Sequence, residues 1–186
     1  MAKLIKKEKE TGIVERAKMV STKPEEFFKN IKKEKGWQEA FKYFAVISLV
    51  TPLVYIIGSL ASLYQMAFDE ILFTYIFTLA SIFVGAGIVH LFALLFKGKR
   101  DFSLTYKALA YGMTPAFVLG WIPVVGPLAG LYSLYLEVKG ISSLHEMSML
   151  RALAVVLIAL FAIMAMFFAI VVGIFGSEFF TLIQGY

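Results

Sequence analysis

Long apolar stretches separated by short charged segments dominate the chain from residue 43 onwards. Stretches without Asp, Glu, Lys or Arg cover about residues 43–64, 71–96, 108–136 and 152–175. Each is long enough for the roughly 20 residues that a helix needs to cross a hydrocarbon core. They are apolar on every face rather than alternating, so they favour membrane helices over the strands of a barrel.

The third stretch is too long and too interrupted to be a single helix. Its 29 residues would extend about 43 Å as one helix, against a hydrocarbon core of roughly 30 Å. Pro115, Gly120-Trp121-Ile122-Pro123 and Gly126-Pro127 predict a break near its middle. We therefore predict two shorter spans, at about residues 106–121 and 124–141, with a re-entrant hairpin as the alternative.

Positive charge then selects an odd number of crossings. With five spans, residues 1–42 and the loops at 97–107 and 137–151 share one side, which holds all 18 Lys and Arg residues. The positive-inside rule makes this side cytoplasmic. Four spans would move Lys139 and Arg151 to the opposite side. A re-entrant hairpin would leave every charged segment on the same side as five spans do.

These observations predict an all-α integral membrane protein, with a bundle of about five transmembrane helices and an N-terminal amphipathic surface helix. Residues 1–42 form the basic cytoplasmic segment, and residues 43–175 form the transmembrane domain. Residues 176–186 form a short extracytoplasmic tail. The expected location is the cell membrane, with the N-terminus cytoplasmic and the C-terminus outside.

The N-terminal segment carries 12 of the 18 basic residues. A helix start is predicted at Thr22-Lys23-Pro24-Glu25, with Thr22 as its cap and Pro24 in the first turn. Apolar side chains one turn apart then suggest a helix lying in the membrane surface, with anionic headgroups as its counter-charge. The predicted membrane-surface or lipid contacts are Phe27, Phe28, Ile31, Lys32, Lys33, Lys35, Trp37, Lys97, Lys99 and Arg100.

Few ionisable side chains lie in or beside the later spans, and they form the candidate polar cluster. Its predicted members are His90, Tyr111, Glu137, His145 and Glu146. The two histidines can meet at the cytoplasmic face, where a metal or catalytic site competes with ordinary hydrogen-bonded histidines. No HExxH, GxSxG, Walker or Rossmann motif is present, so we predict no catalytic residue, metal or cofactor.

Two kinds of partner follow from the remaining features. Gly126 and Gly130 form a GxxxG pattern, which suits helix packing inside one bundle or between copies in a homo-oligomer. The basic N-terminus lacks a nucleic-acid-binding module, so we expect lipid headgroups or a cytoplasmic protein rather than nucleic acid.

Several motifs in a fixed order resemble the Yip domain family, the Ypt/Rab-interacting membrane proteins, in its prokaryotic branch. The motifs lie between about residues 21 and 175 and are Pro24-Glu25-Glu26-Phe27-Phe28, His90, Phe96-Lys97-Gly98-Lys99, Phe102-Ser103-Leu104-Thr105, Tyr111, Pro115, Ile122-Pro123-Val124-Val125-Gly126, Tyr132-Ser133-Leu134-Tyr135-Leu136, Gly140-Ile141 and His145. The resemblance implies a five-helix bundle with a cytoplasmic N-terminus. Eukaryotic members bind prenylated Rab-type GTPases, but this chain lacks their Asp-Leu-Tyr-Gly-Pro motif, so that partner is not carried over.

The expected function is that of a non-enzymatic scaffold or membrane-organising protein that recruits a partner or anionic lipid at its cytoplasmic face. A small transporter or channel is the alternative, with a path lined by His90, Tyr111, Thr114 and Ser133. An intramembrane enzyme acting on lipid is a third possibility, which rests on the histidines and nearby carboxylates.

Overall fold

The computed structural model describes residues 12–61 and 66–184, with side chains as far as residue 173. Within this part of the chain all regular secondary structure is helical. The helices, numbered here in chain order, are α1 (Ile13–Thr22), α2 (Pro24–Ile31), α3 (Gln38–Ser48), α4 (Val50–Leu60), α5 (Phe68–Leu95), α6 (Phe102–Gly112), α7 (Thr114–Leu119), α8 (Val125–His145) and α9 (Met149–Gln184).

Three helical stretches of the described chain are long and apolar enough to cross a membrane. They are Gln38–Leu60, Phe68–Leu95 and Met149–Gly173. The all-helical membrane class is therefore confirmed. The predicted count of five crossings is not confirmed, because the hairpin of α6, α7 and α8 is not among these stretches. Helix α9 also continues to Gln184, through most of the tail predicted from residue 176.

A proline divides the first of these stretches. The sequence predicts a kink at Thr51-Pro52, and the structure has a break at Leu49 between α3 and α4. Proline has no N–H, so Pro52 cannot donate to the carbonyl of Ser48, the residue one helical turn earlier. Helix α3 therefore ends at Ser48.

Helix α6 forms the centre of the molecule. Each of its residues from Ser103 to Gly112 is buried, and its neighbours are α3, α5, α8 and the N-terminal helices. Protein therefore covers every face of this helix, although the helix carries Ser103, Thr105 and Lys107.

The break predicted in the third apolar stretch is present. Helix α7 ends at Leu119 and α8 begins at Val125, with a tight turn between them. Gly126 lies against the carbonyl of Gly120, which leaves no room for a side chain. Gly130, the second glycine of the GxxxG pattern, faces open space instead: no atom of the described part of the chain would lie within 4 Å of a Cβ atom there.

Helices α1 and α2 form a layer on the bundle, called here the N-terminal layer, which differs from the expected surface helix. Phe27, Phe28 and Ile31 are buried in the protein core rather than turned towards lipid. Helix α2 does begin at Pro24, but Thr22 does not cap it. The Thr22 hydroxyl donates to the carbonyl of Lys18 at 2.7 Å and so belongs to the end of α1.

Candidate functional site

A buried arginine joins the N-terminal layer to the central helix. Arg16 is 8% exposed, and its Nη1 donates to the hydroxyl of Tyr111 at 2.6 Å. Its Nη2 forms an ion pair with Glu34 at 3.0 Å. The ring of Phe27 meets Tyr111 edge-on at 4.9 Å between centroids. One contact network therefore ties α1, α2 and α6 together.

A buried lysine completes this connection from the other side. Lys107, on α6, is 1% exposed, and its Nζ donates to the carbonyls of Glu34 at 2.7 Å and Ile31 at 3.4 Å. The last carbonyls of a helix lack intrahelical donors and lie at the negative end of its dipole. Lys107 therefore binds the turn that follows α2 and holds the N-terminal layer on the bundle.

The two histidines meet through a threonine. Thr105 Oγ1 lies 2.8 Å from His90 Nδ1 and 2.9 Å from His145 Nε2. The N–H of Lys99 donates to His145 Nδ1 at 3.1 Å. A neutral His145 must then carry its proton on Nε2 and donate to Thr105, which in turn donates to His90. The chain of hydrogen bonds joins α5, α6 and α8.

This environment favours the uncharged form of His145. Burial lowers the pKa of His145 to about 4, and nearby His90 adds to the effect, while Asp101 opposes it. A charged His145 would also carry a proton on Nδ1, where the Lys99 N–H now donates. The arrangement is therefore a hydrogen-bond chain in which His145 is held uncharged.

The other members of the candidate polar cluster lie elsewhere. Tyr111 belongs to the Arg16 network, and Glu137 packs against the backbone of Gly112. Glu146 is exposed and contacts Lys32 and Lys99, whose hydrogen bonds lower its pKa to about 2. Within residues 12–61 and 66–173, no three His, Asp or Glu side chains converge in a way that could hold a metal ion.

The polar residues suggested for a channel take part in separate internal contacts. Tyr43 and Thr114 share a hydrogen bond of 2.6 Å, and the Thr114 hydroxyl also reaches the carbonyl of Tyr111. Ser133 accepts from the backbone N–H of Ala116 at 2.9 Å. These groups join neighbouring helices to one another.

Basic residues at the predicted lipid-contacting positions are mostly accessible. Lys33, Lys35, Lys97 and Arg100 are exposed, while Lys32 and Lys99 pair with Glu146. The Trp37 ring is only partly exposed, and it packs against the rings of Phe41, Phe83 and Tyr106.

Two further lysines of this face were missed by sequence reasoning. Lys29 and Lys139 both pair with Glu25, at 3.5 and 3.4 Å. Lys29 lies on α2 and Lys139 on α8, so only the packing of these helices reveals the pair. Lys107 carried a usable signal, because a lone lysine in an otherwise apolar helix needs a buried partner.

Charged residues surround the bundle at the level of Tyr111. Arg16 binds Tyr111 itself, and the exposed Lys42 directly precedes Tyr43, whose ring lies 4.7 Å from that of Tyr111. Across α6, the backbone of Gly112 lies against that of Glu137, two residues before Lys139. Arg16 on α1, Lys42 on α3, and Glu137 and Lys139 on α8 are together called here the charged belt.

The fold and these contacts define a small all-helical membrane protein whose N-terminal helices are clamped to the bundle by buried cations. The Yip1 domain family matches residues 18–171, so the chain belongs to this family. The resemblance noted from the sequence is thereby confirmed. The chain is also similar to an uncharacterised protein, MJ0794, of Methanocaldococcus jannaschii. The two are 31% identical over 109 residues, covering 52% of this chain and 77% of the relative. No solved structure matches the chain.

Proposed function

We propose that this Yip1-family protein is a non-enzymatic membrane-organising scaffold, whose cytoplasmic face recruits anionic lipid or a protein partner. The observation that supports the proposal is the N-terminal layer, which is apolar and clamped on its inner side and charged on its outer side. Its exposed charged residues, with those of the segment that follows it, are Glu15, Lys18, Lys23, Glu25, Glu26, Lys29, Lys33 and Lys35. An exposed charged surface of this kind suits recruitment.

The proposed orientation places this surface in the cytoplasm. Lysine and arginine gather around the N-terminal layer and the loops at 97–107 and 137–151, which the positive-inside rule assigns to the cytoplasmic side. Asp69 and Glu70 begin α5 at the opposite end of the bundle. The N-terminus is then cytoplasmic and the C-terminus extracytoplasmic.

We further propose that α6, α7 and α8 form a re-entrant hairpin rather than two full crossings. The charged belt marks where the hydrocarbon core begins, since ion pairs are costly within it. Beyond the belt, the hairpin extends about 10 Å from Gly112 to Leu119 and about 18 Å from Val125 to Glu137. Both lengths fall short of the roughly 30 Å that a crossing needs.

The tip of this hairpin suits insertion into lipid. Its exposed side chains are apolar and include Leu119, Trp121, Val124, Leu128 and Leu131. An odd number of crossings, and therefore the predicted orientation of the two ends, is retained with three crossings and one hairpin.

Cysteine labelling tests the hairpin, because the chain has no cysteine of its own. A single cysteine at Trp121 tests the tip of the hairpin, and a single cysteine at Ser59, on α4, is the reference for a residue within the core. Each variant is labelled in sealed vesicles from each side with a membrane-impermeant maleimide. A re-entrant tip stays unlabelled from both sides, as a residue within the core does. Labelling of Trp121→Cys from the extracytoplasmic side would establish two full crossings instead.

Purification of the full chain from native membranes tests the function. Retained lipids and co-purifying proteins are quantified by mass spectrometry against the composition of the bulk membrane. The proposal predicts several-fold enrichment of anionic lipid or a stoichiometric protein partner. A lipid content equal to the bulk, with no such partner, would contradict the proposal.

A further inference from the structure

A groove runs between α2 and α8 on the cytoplasmic side. Its volume is about 470 Å³, and its lining residues are Glu25, Lys29, Lys32, Lys139, Ser142 and Ser143. Three of these six side chains are cationic and two carry hydroxyls. The lining therefore consists almost entirely of groups that donate hydrogen bonds to oxygen acceptors.

The positive charge of the groove exceeds what its own carboxylates neutralise. Glu25 is shared between Lys29 at 3.5 Å and Lys139 at 3.4 Å, which are long contacts for ion pairs. Glu146, just outside the groove, is shared in the same way between Lys32 and Lys99. Four lysines thus face two carboxylates, which leaves an excess of two positive charges for an incoming anion.

The hydroxyl groups differ in their availability. Ser142 Oγ donates to the carbonyl of Met147 at 2.8 Å and helps to close the end of α8. Ser143 lies one residue further along the groove, and the described part of the chain gives its hydroxyl no hydrogen bond. It is therefore placed to donate to an oxygen held between the lysines.

The position of the groove relative to the membrane indicates that its anion comes from a lipid. Lys139 lies two residues beyond Glu137, so the groove begins within one helical turn of the charged belt. Phosphates of the cytoplasmic leaflet occupy this layer, directly outside the hydrocarbon core. Lipid phosphates are also present there at far higher local concentration than a soluble anion.

We propose that this groove is a headgroup site, in which Lys29, Lys139 and Ser143 hold the phosphate of an anionic phospholipid. The proposal rests on the proposed function and gives its lipid arm a defined place. Lys29, with a side chain 70% exposed, and Lys139, 25% exposed, approach the phosphate from opposite walls. Glu25 competes with the phosphate for both lysines.

The test uses the purified full chain in neutral detergent, titrated with short-chain phosphatidylglycerol while native mass spectrometry counts bound lipid. The double variant K29Q/K139Q is expected to bind about tenfold more weakly than the parent chain. E25Q removes the competing carboxylate and is expected to bind several-fold more tightly. A gain in affinity cannot arise from a failure to fold, so E25Q protects the test against misfolded variants.

The matched control is K97Q/R100Q, which removes two exposed charges from the same face outside the groove. An equal loss of affinity in both double variants would overturn the groove as a specific site. The proposed function would then stand, with diffuse attraction of anionic lipid in place of the groove. If phosphatidylglycerol bound no better than phosphatidylcholine to any variant, both the groove and the lipid arm would fall. If inorganic phosphate bound as tightly as phosphatidylglycerol, the groove would be a site for free phosphate and not for a lipid headgroup.

Discussion

The two sides of this molecule meet the membrane in opposite ways. On one side, α1, α2 and the end of α8 present ion pairs and lysines as far as the charged belt. On the other side, α5 and α9 expose apolar residues close to the ends that face the loops at 97–107 and 137–151, where Leu91, Leu95 and Leu150 are 62%, 74% and 77% exposed. Arg151, beside Leu150, is the exposed charge at this end of α9.

We infer that the membrane surface meets the two sides at different heights. Phe83 contacts Trp37 near the start of α3, yet α5 continues for about 18 Å to Leu95 with apolar residues exposed. The 28 residues of α5 extend about 42 Å, which exceeds the hydrocarbon core. Tilting is the usual way in which a long helix fits a thinner bilayer. We infer that tilt immerses the α5 and α9 side in the hydrocarbon core and leaves the N-terminal layer at the level of the headgroups.

A large loss of stability is expected from breaking the clamp beneath the charged side. Arg16→Ala removes the buried guanidinium that binds Tyr111 and the partly exposed Glu34, and leaving such polar partners unpaired typically costs about 1 to 3 kcal/mol. The free energy of unfolding, measured by denaturant titration in mild detergent, is expected to fall by this amount. Lys18→Ala, which removes an exposed charge from the same helix, is the control and should change stability by less than about 0.5 kcal/mol. Equal losses in both variants would show that Arg16 is not a clamp.

The hydrogen-bond chain joining the two sides should make stability depend on pH. The folded protein lowers the pKa of His145 to about 4, from about 6.5 in the unfolded chain. The unfolded chain therefore binds the proton first, and stability is complete above pH 6.5 and declines as the pH falls towards 4. The expected loss is about 3 kcal/mol, measured by unfolding at several pH values.

His145→Asn is the control for this pH dependence. Its side-chain carbonyl can accept from the Lys99 N–H, but the residue does not titrate. The variant should lose most of the slope between pH 6.5 and 4. A slope unchanged from that of the parent chain would assign the dependence to other groups.

The packing beneath the charged side can be disturbed without changing any charge. A Cβ atom at Gly140 would lie 2.9 Å from Ala108 Cβ and from the Phe28 ring, where α2, α6 and α8 meet. Gly140→Ala is therefore expected to destabilise the protein by about 2 kcal/mol through overpacking. Gly130→Ala, on the same helix but facing open space, should be neutral or slightly stabilising. Thermal unfolding of the two variants compares them directly, and equal behaviour would contradict the packing at Gly140.

The smallest expected effect distinguishes the surfaces of the two sides by their exposure to water. Single cysteines at Leu91 and Lys29 are labelled with an impermeant maleimide in open native membranes. Lys29→Cys should react about tenfold faster than Leu91→Cys, because a thiol in lipid stays protonated and shielded. Similar rates would mean that α5 lies in water at Leu91 and that the bundle is not tilted.

Much of the fold could be predicted from the sequence, because lipid allows few solutions for a long apolar segment. The turn at residues 120–124, the break near Pro52 and the start of α2 at Pro24 all follow from proline and glycine. The family resemblance followed from the order of short motifs. The site was less predictable, since Glu25 meets Lys139 only through the packing of two helices 114 residues apart in the chain.

The sequence by itself determined that this chain is a helical membrane protein with its positive charge concentrated beside its apolar segments. Hydropathy and charge are properties of each segment and need no knowledge of its neighbours. Only the tertiary structure decided what covers each apolar face: Phe27, Phe28 and Ile31 have protein beside them, whereas Leu91 and Leu95 do not. An apolar side chain gains similarly from leaving water for protein or for lipid, so its sequence pattern cannot distinguish the two.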